Sequence, residues 1–202
     1  MVRQSLAESD RGDNDRAIAT ANEAIRLNPN YANAFVARGL AYLKKGDNDR
    51  AITDYNEAIR LDPKNSSAFY TRGLAYLKKG DNDRAITDYN EAIRLDPKNS
   101  TAFLSRGTAY LSKGDHDRAI VDYNEAIRLS PNYLVAIYNR GLAYLKKGDN
   151  DRAIADFNEA VRRSPMYAQA FCARGKAKLA MNEASGNADI AKARALDASI
   201  CP

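Results

Sequence analysis

The chain has 202 residues, 45% hydrophobic and 28% charged, with a formal net charge of +5 and a single histidine. No apolar run of 18 residues suits a membrane span, the opening MVRQSLAESDRGD carries no apolar signal segment, and Lys44 and Lys45 are followed closely by Asp47 and Asp49, interleaved signs that argue against a nucleic-acid track. Two cysteines, Cys172 and Cys201, are too few and too isolated for a disulfide framework or a metal site, so the sequence points to a reducing, cytoplasmic setting, with a processed exported form as the alternative.

From Gly12 onward the chain repeats itself every 34 residues. The stretch RGLAYLKKGDNDRAITDYNEAIRLDPKNS stands at Arg38–Ser66 and again, unchanged, at Arg72–Ser100. Looser copies begin at Gly107 and Gly141, and a partial copy opens at Gly12. One short unit cannot bury its apolar face until a neighbour covers it, so this period predicts a stacked array. The units are a partial repeat over 1–31, full repeats over 32–65, 66–99, 100–133 and 134–167, and a degenerate repeat with a capping helix over 168–202, all in one continuous domain.

Residues 1–11 sit where a first helix belongs, with Gln4, Ser5 and Glu8 where a later copy has Arg72, Gly73 and Tyr76; this predicts a polar end helix that tolerates water. In the unit at 66–99, Phe69, Gly73 and Tyr76 fall at i, i+4 and i+7, one face of a helix over about residues 67–79. Lys78 and Lys79 suit its negative end, Gly80 stops it, and Asp81 caps a second helix with Asp83 in its first turn. Ala85, Tyr89 and Ala92 form the buried stripe of that second helix, and Pro97 lies beyond its end. Each unit is therefore a helical hairpin in which Gly73 and Ala85 admit close approach and Phe69, Tyr76 and Tyr89 fill the space around them.

These residues resemble the signature of the tetratricopeptide repeat family. It reads Phe35, Gly39, Tyr42, Ala51, Tyr55, Ala58, Pro63 in the first full unit; Phe103, Gly107, Tyr110, Ala119, Tyr123, Ala126, Pro131 in the third; and Ile137, Gly141, Tyr144, Ala153, Phe157, Ala160, Pro165 in the fourth. The family's usual tryptophan is Phe or Ile137 here, and its leucine before Gly is Arg38, Arg72, Arg106, Arg140 and Arg174. The last unit decays: Lys178 replaces the tyrosine, the second helix fits only with a one-residue shift, and Lys176, Lys178, Lys192 and Arg194 read as a solvating cap. The resemblance implies an all-α fold, a right-handed superhelical solenoid of antiparallel helix-turn-helix repeats whose first helices line a concave face.

Catalytic chemistry finds no foothold. Asp47 and Asp49 begin like a calcium loop, but Ala51 and Ile52 occupy the positions that need an oxygen ligand and a glycine. His116 replaces an asparagine of other copies in a turn and has no neighbouring ligand set. No catalytic, cofactor or metal residues are assigned. The five arginines lie beside the packed face, level with Asp54, Asp88, Asp122 and Asp156, so they read as an internal Arg/Asp ladder, with an anion-binding row as the rival.

Function then rests on the concave face. The units at 32 and 66 differ only at Ala32/Ser66, Asn33/Ser67, Val36/Tyr70 and Ala37/Thr71, all in the first turns of the first helix. Ser67, Tyr70, Thr71 and Leu74 form a stripe separate from Phe69, Gly73 and Tyr76. With its equivalents this gives a candidate groove of Val36, Leu40, Lys44, Ser67, Tyr70, Thr71, Leu74, Lys78, Leu104, Thr108, Tyr138, Leu142 and Lys146. The expected role is a non-enzymatic scaffold binding a protein or peptide with apolar and some acidic residues. Nucleic acid and membrane are not expected, and the alternatives are a self-assembling array or the regulatory arm of a larger enzyme or complex. The Lys and Asn of the family's dicarboxylate clamp are replaced by Val36 and Leu40, so a chaperone tail is a poor ligand.

Overall fold

A computed structural model describes residues 1–201, which form twelve helices and no strand. They are α1 (Val2–Asp10), α2 (Asn14–Leu27), α3 (Ala32–Lys44), α4 (Asn48–Leu61), α5 (Ser66–Lys78), α6 (Asn82–Leu95), α7 (Ser100–Ser112), α8 (His116–Leu129), α9 (Leu134–Lys146), α10 (Asn150–Arg163), α11 (Ala168–Ala180) and α12 (Gly186–Leu196).

The breaks come from the residues each repeat supplies. Asp81 caps α6, its carboxylate accepting from the Arg84 N–H at 3.1 Å, and Asp13, Asp47, Asp115 and Asp149 cap α2, α4, α8 and α10 in the same way. Gly80, at φ 78°, turns the chain between α5 and α6 in the left-handed region that a side chain resists. In the last repeat Asn182 takes that place at φ 61°, as the residue type that best tolerates it after glycine. The helix predicted over 67–79 starts one residue earlier because Asn65 caps it, accepting from the Ala68 N–H at 3.1 Å.

The chain divides into two compact units, residues 1–109 and the remainder from Tyr110, with the boundary inside α7. In the first, α1–α2, α3–α4 and α5–α6 are antiparallel pairs packed in succession. Their closest approach is at glycine: a Cβ on Gly39 would stand 2.6 Å from Tyr55, and one on Gly73 2.7 Å from Tyr89. Both tyrosines are fully buried, among alanines such as Ala51, Ala75 and Ala85 that are equally inaccessible. Each ring is worth about 1.5–3 kcal/mol of apolar burial, provided the helices stay this close.

The second unit repeats the plan in α9–α10, where Gly141 faces Phe157, and alters it in α11–α12. There Gly175 faces Ile190 and the backbone of Gly186, and Arg174 pairs with Asp189 across 15 residues where the other repeats use 16. The one-residue shift expected for the last helix is present.

Three expectations need correction. Cys172 and Cys201 are not isolated: they form a disulfide with Cα atoms 5.7 Å apart, because α12 folds back along α11 and the turn after it returns the chain to Cys172. The end helix α1 is solvated at Arg3, Gln4 and Asp10 but not on all its polar positions. Ser5, Glu8 and Ser9 are buried against α2, Ser5 Oγ donating to Ala17 O at 2.7 Å and Glu8 accepting from Thr20 Oγ1 at 2.7 Å, so polar groups inside the pair find partners there. Nor do all four cations of the last repeat solvate it: Lys178 is half-buried and bonds Asp189 at 2.8 Å, while Lys176, Lys192 and Arg194 are exposed, Arg194 Nε also donating to Cys201 O at 2.8 Å.

Candidate functional site

The arginine row is occupied from within. Arg72 Nε and Nη2 donate to the two carboxylate oxygens of Asp88 at 2.8 and 2.7 Å, the fork geometry that suits a carboxylate. Asp88 is only 3% exposed. Arg38 holds Asp54, Arg140 holds Asp156 and Arg174 holds Asp189 in the same manner. A further bond was not foreseen from the sequence. Arg72 Nη1 donates to Asn56 Oδ1 of the preceding repeat at 2.7 Å, and Arg38, Arg106, Arg140 and Arg174 reach Asn22, Asn90, Asn124 and Asn158 likewise. The unbroken recurrence of that asparagine every 34 residues is the signal that could have revealed it. Arg38, Arg72, Arg140 and Arg174 each tie three successive helices in this way, and Arg38, Arg72, Arg106 and Arg174 also lie 5.2–5.6 Å from a Phe ring centroid. In Arg38, Arg72, Arg140 and Arg174 three of the five N–H donors and the positive charge are taken up within the stack, which favours the ladder over the anion row.

The first unit carries an open groove of about 790 Å³. Its walls are equivalent positions on three successive first helices: Val2, Arg3 and Leu6 of α1; Asn33, Val36, Ala37 and Leu40 of α3; Ser67 and Thr71 of α5. Ala24, Leu27 and Asn28 at the end of α2, with Tyr31 and Met1, complete it. Met1, Leu27 and Tyr31 are each more than two-fifths exposed, an unusual share for apolar side chains grouped at one opening. Arg3 is exposed and is the only ionisable lysine, arginine, aspartate or glutamate among the lining residues. Thr71 Oγ1 is turned back onto Ser67 O at 2.8 Å, so its hydroxyl is already engaged.

Of the groove residues expected from sequence, Val36, Leu40, Ser67 and Thr71 come together here. Val36 and Leu74 also pack on Tyr55 and its neighbours, so one side of each is spent on the core. Tyr70 lies against Tyr89 with ring centroids 6.0 Å apart. Lys44 is tied to the end of α1, donating to Ser9 O at 3.0 Å and Asp10 at 2.9 Å. Lys78 is exposed, Leu104 is partly buried, and Thr108 Oγ1 donates to Leu104 O at 2.9 Å. In the second unit Tyr138 packs between Phe157 and Tyr167, at 5.8 and 5.0 Å, and burial pushes its hydroxyl pKa up to about 12. Leu142 is partly buried and Lys146 exposed. The α1 residues of the groove are absent from the sequence-based set because residues 1–11 read only as a polar end, and Leu27 and Tyr31 because that set is drawn from the first helices alone.

Among the described residues no group of three or more His, Cys, Asp or Glu is placed to hold a metal ion, and no helix is long and apolar enough to cross a membrane.

A family model described as TPR repeat matches residues 6–46, 39–80 and 141–182, more than half of the chain, and further models described as tetratricopeptide repeat match 70–133 and 122–155. The chain belongs to the tetratricopeptide repeat family. No curated protein matches it in sequence. Among solved structures, MamA is similar at 26% identity, with a TM-score of 0.75 over 80% of this chain and 95% of that one. YrrB, described as a TPR protein with an unusual peptide-binding site, is similar at 22% identity and TM-score 0.76, over 89% of this chain and 93% of its own. The pilF protein of Pseudomonas aeruginosa reaches a TM-score of 0.86 at 16% identity, over 98% of this chain and 90% of its own. The two last likenesses establish the fold, an all-α array of tetratricopeptide repeats, and the family is one of protein-interaction scaffolds.

Proposed function

We propose that this tetratricopeptide repeat protein is a non-enzymatic scaffold that binds a peptide segment of a partner protein in the groove of α1, α3 and α5. The observation that carries the reading is the composition of that groove: Val2, Leu6, Val36 and Leu40 make an apolar floor, Met1, Leu27 and Tyr31 an exposed apolar rim, and Arg3 supplies one cation at the side. Such a surface takes apolar side chains as anchors and orients them through a single acidic group. Asn33 and Ser67, both exposed, offer hydrogen bonds to an extended backbone between those anchors. Tyr70 and Tyr138, both members of the groove expected from the sequence, serve in this reading mainly as packed wall, since each already lies against a neighbouring ring.

Selection of random peptides displayed on phage, with the full chain as bait, tests this directly. Enriched sequences should combine an aliphatic or aromatic residue with Asp or Glu a few positions away. Arg3→Glu and Ser67→Arg should each weaken the selected peptide at least tenfold, the first by reversing the charge and the second by filling the groove. Equal affinity in both variants, or no enrichment at all, would remove the groove as the binding site.

A further inference from the structure

The C-terminal repeat ends in a turn that copies the linker between earlier repeats. The Ile200 N–H donates to Asp197 O at 3.1 Å and the Ser199 N–H to the Asp197 carboxylate at 2.9 Å. Asn65 and Lys64 make the same two bonds to Asp62, both at 3.1 Å. After that turn the earlier repeat begins α5 at Ser66. Cys201 stands in the matching place, but it adopts φ 64° and is joined through sulfur to Cys172. In the first unit the cluster of Phe35, Val36 and Ala58 is closed by Ala68 of the following helix. In the last repeat the corresponding Phe171, Cys172 and Ala193 are closed by Ile200 and Cys201. The disulfide-held tail thus fills a seat that a following helix fills elsewhere.

Helix α12 is also weakly built by the standard of the other second helices. Ser185 makes no side-chain cap bond, where α2, α4, α6, α8 and α10 all have a capping aspartate. Gly186 and Ile190 stand where α10 has Ala153 and Phe157, which raises the entropy cost of the helix and shrinks its plug. Among the described helices α12 packs on α11 alone, and a helix held by one neighbour is among the first parts of an array to open.

We propose that Cys172–Cys201 is a redox-operated latch on the α11–α12 pair. A dithiol reductant opens it by thiol–disulfide exchange: the S–S bond breaks, two electrons and two protons pass from the dithiol to the two cysteine sulfurs to give two thiols, and the reductant becomes a disulfide. A low-molecular-weight disulfide closes it by the reverse exchange. Closed, residues 197–201 cover the apolar face of Phe171 and Ala193; open, that face and α12 are released. The crosslink spans 29 residues of sequence. A loop of that size, no longer closed in the opened ensemble, raises the open population by roughly two powers of ten or more.

Hydrogen exchange followed by mass spectrometry on the full chain tests the latch in three states: oxidised, reduced with dithiothreitol, and reoxidised with oxidised glutathione. The amides of α12 and residues 197–201 should exchange about a hundredfold faster when reduced, with residues 12–163 unchanged, and reoxidation should restore their protection. Cys201→Ser should show the reduced pattern in every condition. Equal protection of α12 in the oxidised and reduced states overturns the latch. So does a loss of protection spread evenly over both units, or two thiols that alkylate freely after oxidation.

Discussion

The pairs α5–α6 and α11–α12 solve one packing problem with different materials. Both bring a glycine of the first helix against the second, Gly73 on Tyr89 and Gly175 on Ile190 and Gly186, and both bury an arginine–aspartate fork beside it. The interior pair adds a fully buried aromatic plug, an aspartate cap and a neighbour on each side. The terminal pair has an aliphatic plug and no side-chain cap, and it adds a second cation, Lys178, on Asp189 and a covalent link. Stacking energy in a repeat array comes from neighbours, and among the described helices α12 packs on α11 alone, so this pair draws on local bonds. The two pairs should therefore respond differently to the same substitution.

The largest difference is expected at the fork. Arg72→Ala leaves Asp88 buried without a counter-charge and frees Asn56, which should cost about 3–5 kcal/mol in urea unfolding. Arg174→Ala leaves Asp189 still bonded to Lys178 and should cost less, about 1–2 kcal/mol. Equal costs would show that Lys178 does not share the charge. Next comes Gly73→Ala, whose new Cβ would meet Tyr89 Cε1 at 2.7 Å in a site with no room to give; about 1–3 kcal/mol is expected, read from the shift in midpoint. A smaller fall in midpoint is expected from Asp81→Ala, which removes the α6 cap, and none from Ser185→Ala, which has no cap bond to lose. A measurable loss at Ser185 would mean that α12 is capped after all.

The smallest effect concerns acid. Hydrogen bonds from Arg162 and Arg163 hold the Glu159 carboxyl down to about 2, and bonds from the Arg84 backbone and side chain lower that of Asp81. A carboxyl depressed in the folded state adds stability that is complete above its ordinary value and is lost as pH falls through the folded one. The thermal midpoint should therefore decline between about pH 4.5 and 2, and Glu159→Gln should flatten that decline slightly. An unchanged acid limb would place Glu159 outside the folding equilibrium.

Much of this was legible in residue spacing because repeats sample one environment many times. The helix pairs, the glycine–aromatic contact, the aspartate caps and the arginine–aspartate fork all recur at fixed positions, and a recurring residue betrays a recurring contact. The asparagine that completes the fork recurs equally but carries no charge to attract attention. What was not legible lies at the ends, where a residue occurs once. Ser5 and Glu8 look like solvated substitutions until α2 is seen to supply Ala17 O and Thr20. Cys172 and Cys201 look unrelated until the shifted α12 returns the chain. The groove was half visible: Val36, Leu40, Ser67 and Thr71 lie on first helices that carry the repeat signature, whereas Val2, Arg3 and Leu6 lie on a first helix without it, and Leu27 and Tyr31 lie outside the first helices.

Hydrogen exchange of the full chain with and without a display-selected peptide tests the binding role most directly. Slowed exchange should map to residues 2–6, 33–40 and 67–71, the three helix segments that wall the groove, and should vanish for Arg3→Glu at the same peptide concentration. A footprint on the second helices α4 and α6, with α1, α3 and α5 unaffected, would contradict the assignment of the groove as the binding surface.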